Sequence, residues 1–157
     1  MERFLGNIES KIDTKGRVFL PAIFRKILQA NNEGMLVLRA HVDEPCLVLY
    51  PISVWNKRID DIKANVNAFD TKSEMVFRQF VSEAEMLTLD ANGRFLISKP
   101  LLDLAEIKLS VKFLGVSDVI EIWAAEKLEK PFLPKNEFSM KLKELMVPRI
   151  KKEQSDE

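Results

Sequence analysis

Ile12-Asp13-Thr14-Lys15-Gly16-Arg17-Val18-Phe19-Leu20 decides the fold, because it returns as Leu89-Asp90-Ala91-Asn92-Gly93-Arg94-Phe95-Leu96-Ile97. Asp13 to Asp90, Gly16 to Gly93 and Arg17 to Arg94 are each 77 positions apart. Internal repetition of this kind is read before any other pattern, since it sets the architecture. In each copy an Asp follows a β-prone residue, where its carboxylate can bond backbone N–H groups ahead of it. The Gly three places on supplies the positive φ that such a turn needs, and Asn92-Gly93 is itself a strong hairpin dipeptide.

Outward from the turn, strands Val18–Leu20 and Phe95–Ile97 leave it. Each leads to a Pro-headed amphipathic segment, from Pro21 and, two places later in register, from Pro100. Pro21 suits a first helical position. In the segment that follows, Ile23, Phe24, Ile27 and Leu28 form one apolar face and leave Arg25 and Lys26 outward. Met35–Leu38 and Cys46–Tyr50 then read as a hairpin around Ala40–Pro45. Val111–Leu114 and Val119–Trp123 match it around Gly115–Asp118. Each apolar strand ends in an aromatic, Tyr50 or Trp123. Each unit is therefore β-α-β-β, present twice, in an α+β protein.

Between the copies, Trp55, Ile59, Ile62 and Val66 fall at helical spacing, with Lys57, Arg58, Asp60 and Asp61 turned away. Thr71-Lys72-Ser73-Glu74 has the form of a capping box, ahead of a stripe of Val76, Phe77, Phe80 and Val81. Phe138, Leu142, Leu145 and Met146 make a last stripe between Pro134 and Pro148, and Lys151–Glu157 reads as a disordered tail. The organisation is repeat one over 7–54, connecting helices over 55–82, repeat two over 83–126, and a C-terminal helix and tail over 127–157. No linker separates the copies, so they should share one core.

The bulk numbers narrow the function. The chain has 157 residues and 24 basic against 24 acidic ones, so its formal net charge is zero. A general nucleic-acid binder usually carries a basic excess. Any DNA affinity must therefore come from local clustering or from repetition. Cys46 is the single cysteine; no intrachain disulfide can form, which fits a reducing, cytoplasmic setting and a small buried apolar role for Cys46. Met1–Asn7 lacks the apolar run of a signal peptide, and no stretch approaches the ~20 apolar residues of a membrane helix.

With one His and one Cys, and neither a G-x-S-x-G nor a P-loop pattern, nucleophilic and phosphoryl-transfer chemistry lack their usual parts. None of the five glycines precedes a serine, so pyruvoyl-type maturation at a Gly-Ser bond is closed. The chain does not read as an enzyme, and no cofactor or metal is expected. His41, beside Asp43 and Glu44, reads as a solvated loop residue, because zinc sites draw several His or Cys ligands. Tyr50, Trp55 and Trp123 read as core anchors.

These residues resemble a known family. Gly6-Asn7, Asp13-x-Lys15-Gly16-Arg17-Val18-x-Leu20-Pro21-Ala22-x-Phe24-Arg25 and Leu47-Val48-Leu49-Tyr50-Pro51 resemble the first half of MraZ proteins. Arg78-x-x-Val81-Ser82-x-Ala84, Leu89-Asp90-x-x-Gly93-Arg94 and Gly115-Val116-x-Asp118-x-x-Glu121-Ile122-Trp123 resemble the second half. The likeness runs from about Gly6 to Leu128, with the motifs in family order. It implies two SpoVT/AbrB-like repeats paired about a pseudo-twofold axis, in a swapped-hairpin, double-split β-barrel with added helices. It also implies a ring-shaped homo-oligomer that binds short direct repeats in promoter DNA, nucleoid-associated and away from membranes. The implied role is control, with repression the expected sign, of a division and cell-wall gene cluster that includes the regulator's own promoter.

The residues and the resemblance meet at the first turn. Lys15 and Arg17 flank Gly16 and can project together, and an Arg fork can bond guanine O6 and N7 at once. Lys11, Lys15 and Arg25 are candidates for phosphates, and Arg3 for the edge of the patch. Arg94 is the weaker counterpart. Asn92 stands where the family commonly has Lys or Gln, and Leu102 stands opposite Arg25. Asp13, Gly16, Asp90 and Gly93 form the turns. The plainer alternative pairs Arg17 with Asp13 and Arg94 with Asp90, serving only the fold. The rival function is an interaction module of the same fold, antitoxin-like, that holds a protein partner instead of DNA.

Overall fold

A computed structural model describes residues 1–148. The expected tail, Lys151–Glu157, lies outside the described residues. The chain divides into a unit spanning Met1–Lys127 and a second spanning Leu128–Glu157.

The first repeat contains β1 (Asn7–Lys11), β2 (Arg17–Phe19), α1 (Ala22–Ala30), β3 (Leu36–Ala40) and β4 (Leu47–Pro51). Helices α2 (Ile52–Ala64) and α3 (Thr71–Ser82) follow. The second repeat contains β5 (Glu85–Leu87), β6 (Arg94–Leu96), α4 (Lys99–Leu104), β7 (Ser110–Val116) and β8 (Val119–Ala124). Each repeat is thus β-β-α-β-β, one strand more than the sequence pattern indicates. The added strands are the polar Asn7–Lys11 and the three-residue Glu85–Leu87, and both lie at sheet edges. An edge strand needs little apolar alternation, because part of its surface stays in water.

The architecture is mixed α+β, with two antiparallel sheets. Six strands form an open sheet in the order β1-β7-β8-β4-β3-β5, and β2 pairs with β6 in a separate ribbon. That order exposes the duplication. Strand β1 of the first repeat bonds to β7 of the second, and β5 of the second bonds to β3 of the first. Each copy lends its leading strand to the other, and β4 meets β8 in the middle. In the ribbon, Val18 faces Phe95, while Arg17 faces Leu96 and Phe19 faces Arg94. A pseudo-twofold axis therefore passes between Val18 and Phe95. The backbone repeats the relation: Leu20 N–H donates to Gly93 O at 3.0 Å and Ile97 N–H to Gly16 O at 2.8 Å.

One apolar cluster joins both copies, with Val18, Leu20, Phe24 and Leu28 packed beside Phe95, Ile97, Leu101 and Phe113. Edge-to-face contacts order its rings, Phe4 on Phe24 at 5.8 Å and Phe95 on Phe113 at 6.3 Å. Full burial of such a side chain stabilises by roughly 1.5–3 kcal/mol, so neither copy could give up the other's half of the core. The contact surface is narrower than the apolar stripe of α1. Phe24 and Leu28 are buried and Ile27 packs at the margin, but Ile23 is 54% exposed. Pro21 caps α1 and is not its first residue, a shift of one position.

A second cluster, on the sheet's other side, holds Val37, Val48, Tyr50, Val54, Trp55 and Val119. Tyr50, Trp55 and Trp123 are buried, as their sequence settings indicate. Phe80 stacks on Trp55 at 5.2 Å, and the buried Arg39 lies 4.5 Å over the Phe80 ring. This contact carries α3, which buries no residue fully; Val76 and Val81 of its expected stripe are exposed. Asp70 caps α3 through its carboxylate and the Lys72 N–H, so Thr71 is the first helical residue and not the cap. Arg58 is not a purely solvated residue either: it reaches Asp118 at 3.2 Å and lies over Tyr50.

Cys46 is buried, and its thiol is pushed up to about 12, first by burial and then by the Glu121 and Glu44 carboxylates. It is an inert packing residue, in line with the sequence reading. His41 does more than sit in solvent. Its Nδ1 accepts the backbone N–H groups of Asp43 and Glu44 at 3.0 and 2.9 Å and so closes the β3–β4 turn. The second unit contains α5 (Lys135–Leu145), along which Phe138, Leu142 and Leu145 are exposed. Among the described residues, no helix is long and apolar enough to cross a membrane.

Candidate nucleic-acid interface

The two turns are built alike, atom for atom. In the first, Asp13 Oδ1 accepts the N–H groups of Lys15 at 2.9 Å and Arg17 at 2.8 Å. In the second, Asp90 Oδ1 accepts those of Asn92 and Arg94, both at 2.9 Å. The other carboxylate oxygen takes the guanidinium Nε, at 2.8 Å from Arg17 and 3.0 Å from Arg94. Backbone bonds complete each loop, Gly16 N–H to Asp13 O and Gly93 N–H to Asp90 O. Gly16 and Gly93 have φ of +89° and +84°, a region in which an L side chain is strained.

Donated N–H groups favour the charged carboxylate. The backbone bond from Arg17 holds Asp13 below the ordinary carboxylate range, and that from Arg94 does the same for Asp90; burial opposes both. Both aspartates are therefore ionised turn-formers, and each orients an arginine through Nε. That geometry contains the Asp–Arg pairing of the plainer alternative in both turns. The Nε edge serves the fold, while a guanidinium has two further nitrogens that can form a fork.

The ribbon then aims these groups. Side chains alternate along a strand, so Val18 and Phe95 point into the core while Arg17, Phe19, Arg94 and Leu96 take the opposite face. Arg17 and Arg94 are diagonal neighbours there, within reach of long side chains. Both line a groove of about 270 Å³ together with Thr88, Leu89, Asp90 and Leu96. Their side chains are 39% and 28% exposed. Arg94 also sits over the Phe19 ring at 5.7 Å. Phe19 and Leu96 are 51% and 56% exposed on this face, and they are further candidates that the sequence pattern did not single out. Alternation from the arginines, two places along each strand, was the signal that would have found them.

The other candidates part company. Lys15 is exposed at the tip of the first turn, and Lys11 ends the strand that leads into it. Arg3 does not join this patch. Its Nη1 donates to Ser117 Oγ at 2.6 Å, on the β7–β8 turn. Phe4 bridges Ser117 while Lys11 pairs with Ser110, so Arg3 and Lys11 lie at opposite ends of the β1–β7 pair, roughly 25 Å apart along the strand.

Arg25 does not accompany the first turn. It crosses to the second, where its Nη1 donates to Asn92 O at 3.1 Å. A groove of about 450 Å³ beside it is lined by Arg25, Lys26, Asp90, Ala91 and Gly93. Leu102 makes the reciprocal visit: its Cδ1 would lie 3.5 Å from a Cβ placed on Gly16. The helix after each turn thus covers the turn of the other copy. The exchange of strands also exchanges helices, so the missing cation at Leu102 is a feature of the first turn.

Comparison with known proteins gives a consistent result. The family model described as "MraZ protein, putative antitoxin-like" matches residues 3–79 and again residues 80–147, dividing the chain between its two copies. A transcriptional regulator MraZ of Phocaeicola vulgatus is 51% identical over 144 residues, covering 92% of this chain and 94% of that protein. The protein of the same name in Bacteroides thetaiotaomicron is 48% identical over 146 residues, 93% and 94% of the two chains. That in Methylobacillus flagellatus is 37% identical over 123 residues, 78% and 82% of the two chains.

Proposed function

The chain belongs to the MraZ family, and from that premise we propose that it is a sequence-specific DNA-binding transcription regulator. The observation that carries the reading is the ribbon face, where Arg17 and Arg94 stand diagonally on one groove with their Nε edges already committed to aspartates. An antiparallel β-ribbon is a known way of entering a DNA groove. A pre-oriented guanidinium loses less freedom when its fork meets guanine O6 and N7, a contact worth ~1–3 kcal/mol of discrimination. Lys15 at the first tip, with Lys11 behind it, would hold phosphates and set the register. The exposed Phe19 and Leu96 would offer apolar contact to thymine methyl groups.

The strand exchange about the Val18–Phe95 axis supports a swapped-hairpin architecture within the SpoVT/AbrB-like class. The relatives' name extends the reading to control of transcription. Zero net charge limits what one subunit can do, so assembly is part of the proposal. In a ring-shaped homo-oligomer, neighbouring subunits turn later contacts into intramolecular ones, and avidity rises by roughly 10²–10⁴ over a single site. Evenly spaced direct repeats are the matching DNA. The target that follows from the family resemblance is the division and cell-wall gene cluster, own promoter included, with repression as the outcome.

The deciding experiment is a mobility-shift titration of the purified protein on the DNA upstream of its own gene, at two salt concentrations. Tight, repeat-dependent and salt-sensitive binding is expected. A stable assembly that ignores this DNA and random DNA alike would instead favour the interaction-module reading.

A further inference from the structure

We infer that Arg25 is a positioning residue for the second turn, acting across the repeat boundary, and not a phosphate contact of the first. The inference rests on the reading of both turns as DNA contacts. Its geometry stands independently. A Cβ built on Gly93 would lie 1.8 Å from Arg25 Nη1 and 2.8 Å from its Cδ and Cζ. The side chain therefore lies directly over the glycine, in the space that any other residue would fill. From there Nη1 donates to the carbonyl of Asn92, the residue at the tip.

Among the described residues, the first turn has no such clamp. The space over Gly16 is limited by the Ile97 carbonyl, 2.7 Å from a built Cβ, and by the Leu102 and Leu96 methyls at 3.5 Å. Leucine packs but donates nothing, so that tip is free of a cross-repeat hydrogen bond from this position. A charge-assisted bond is about twice as strong as a neutral one, and it fixes the direction of the carbonyl it binds. Arg25 thus stiffens the turn that carries Arg94 and leaves the turn that carries Arg17 untouched. It also sets a fixed cation under a tip that lacks a lysine, since Asn92 occupies the position equivalent to Lys15.

The test uses the full-length assembly and two readouts. Amide hydrogen exchange on Arg25→Met should speed up at Asn92, Gly93 and Arg94 and stay unchanged at Lys15 and Arg17. On promoter DNA, Arg25→Met should weaken binding roughly tenfold without altering the slope of log affinity against log salt. Combined with Arg94→Ala it should add nothing further. Arg25→Lys, which keeps a donor for the Asn92 carbonyl, should recover part of the loss and serves if the Met variant does not fold. Unchanged exchange at the second turn overturns the inference. So does a salt slope reduced by about one together with losses that multiply with Arg94→Ala, the signature of a phosphate contact. Should Arg17→Ala and Arg94→Ala both leave DNA binding intact, the DNA reading itself fails, and the exchange data still judge the clamp.

Discussion

The first and second turns share every internal hydrogen bond and differ in what lies over them. Asp13 and Asp90 bind the same three donors within about 0.2 Å, and Gly16 and Gly93 differ by 5° in φ. Over the first lies Leu102, with Lys15 at an open tip; over the second lies Arg25, bonded to the carbonyl of Asn92. Local chemistry duplicated faithfully, and the divergence sits in residues that reach across from the other copy. Two copies of one motif can therefore differ without disturbing the turn itself, because the covering residue belongs to a helix of the other copy.

The largest expected effect separates the two arginines. Arg17→Ala should abolish promoter binding in mobility-shift titrations while leaving the assembly intact. Arg94→Ala should cost less, since its guanidinium is partly occupied on the Phe19 ring and its tip has no lysine. Each lost base contact is worth ~1–3 kcal/mol, and in the proposed ring the loss would recur in every subunit. Equal losses would make the two turns equivalent readers and erase the comparison.

The glycines come next, and here the readout is stability. At Gly16 an added methyl meets the Ile97 carbonyl, a backbone atom that cannot swing aside. With strain at positive φ added, Gly16→Ala should cost about 2–3 kcal/mol of unfolding free energy, seen as a lower urea midpoint. At Gly93 the obstacle is the end of the Arg25 side chain, which can be displaced, so Gly93→Ala should cost about 1–2 kcal/mol. Its crystal structure should show Arg25 expelled from the Asn92 carbonyl. A Gly93→Ala loss larger than that of Gly16→Ala would reverse this order.

The smallest effect is silent at neutral pH. Asp13 and Asp90 titrate below the ordinary carboxylate range in the folded chain, so the unfolded chain takes up protons first on acidification. Their contribution to stability is fully present above about pH 4, and it is lost as pH falls through the lower folded values. Unfolding measured from pH 6 downward should show this acid limb. Asp13→Asn and Asp90→Asn should each flatten it by a similar amount, because the carboxylates are held by the same donors. A limb moved by only one of the two would show that the turns differ internally as well as in their cover.

Much of the candidate site is legible in the sequence. The Asp-x-x-Gly-Arg spacing identified both turns, the positive φ of their glycines and the possibility of an Asp–Arg pair in each. Other features were not. β5 is three residues long and pairs with a strand more than forty positions earlier. Arg3 and Arg25 were grouped with the first turn through nearness along the chain, and the exchange of elements sends one to the β7–β8 turn and the other to Asn92. Of the stripe on α3, Val76 and Val81 are exposed, and Phe80 is the member that stacks on Trp55.

The sequence by itself determined the turn, because all of its bonds close within five residues and depend only on which side chains occupy them. It determined the duplication for the same reason: a repeat is a property of the string. The tertiary structure alone decided that each copy's first strand and its helix serve the other copy. That choice depends on which edges pair across the copies, β1 with β7 and β5 with β3, and either pairing would satisfy the same alternation and the same helical periodicity. In the exchanged arrangement Val18 faces Phe95 at the pseudo-twofold axis, and the exchange fixes the identity of the residue that lies over each turn.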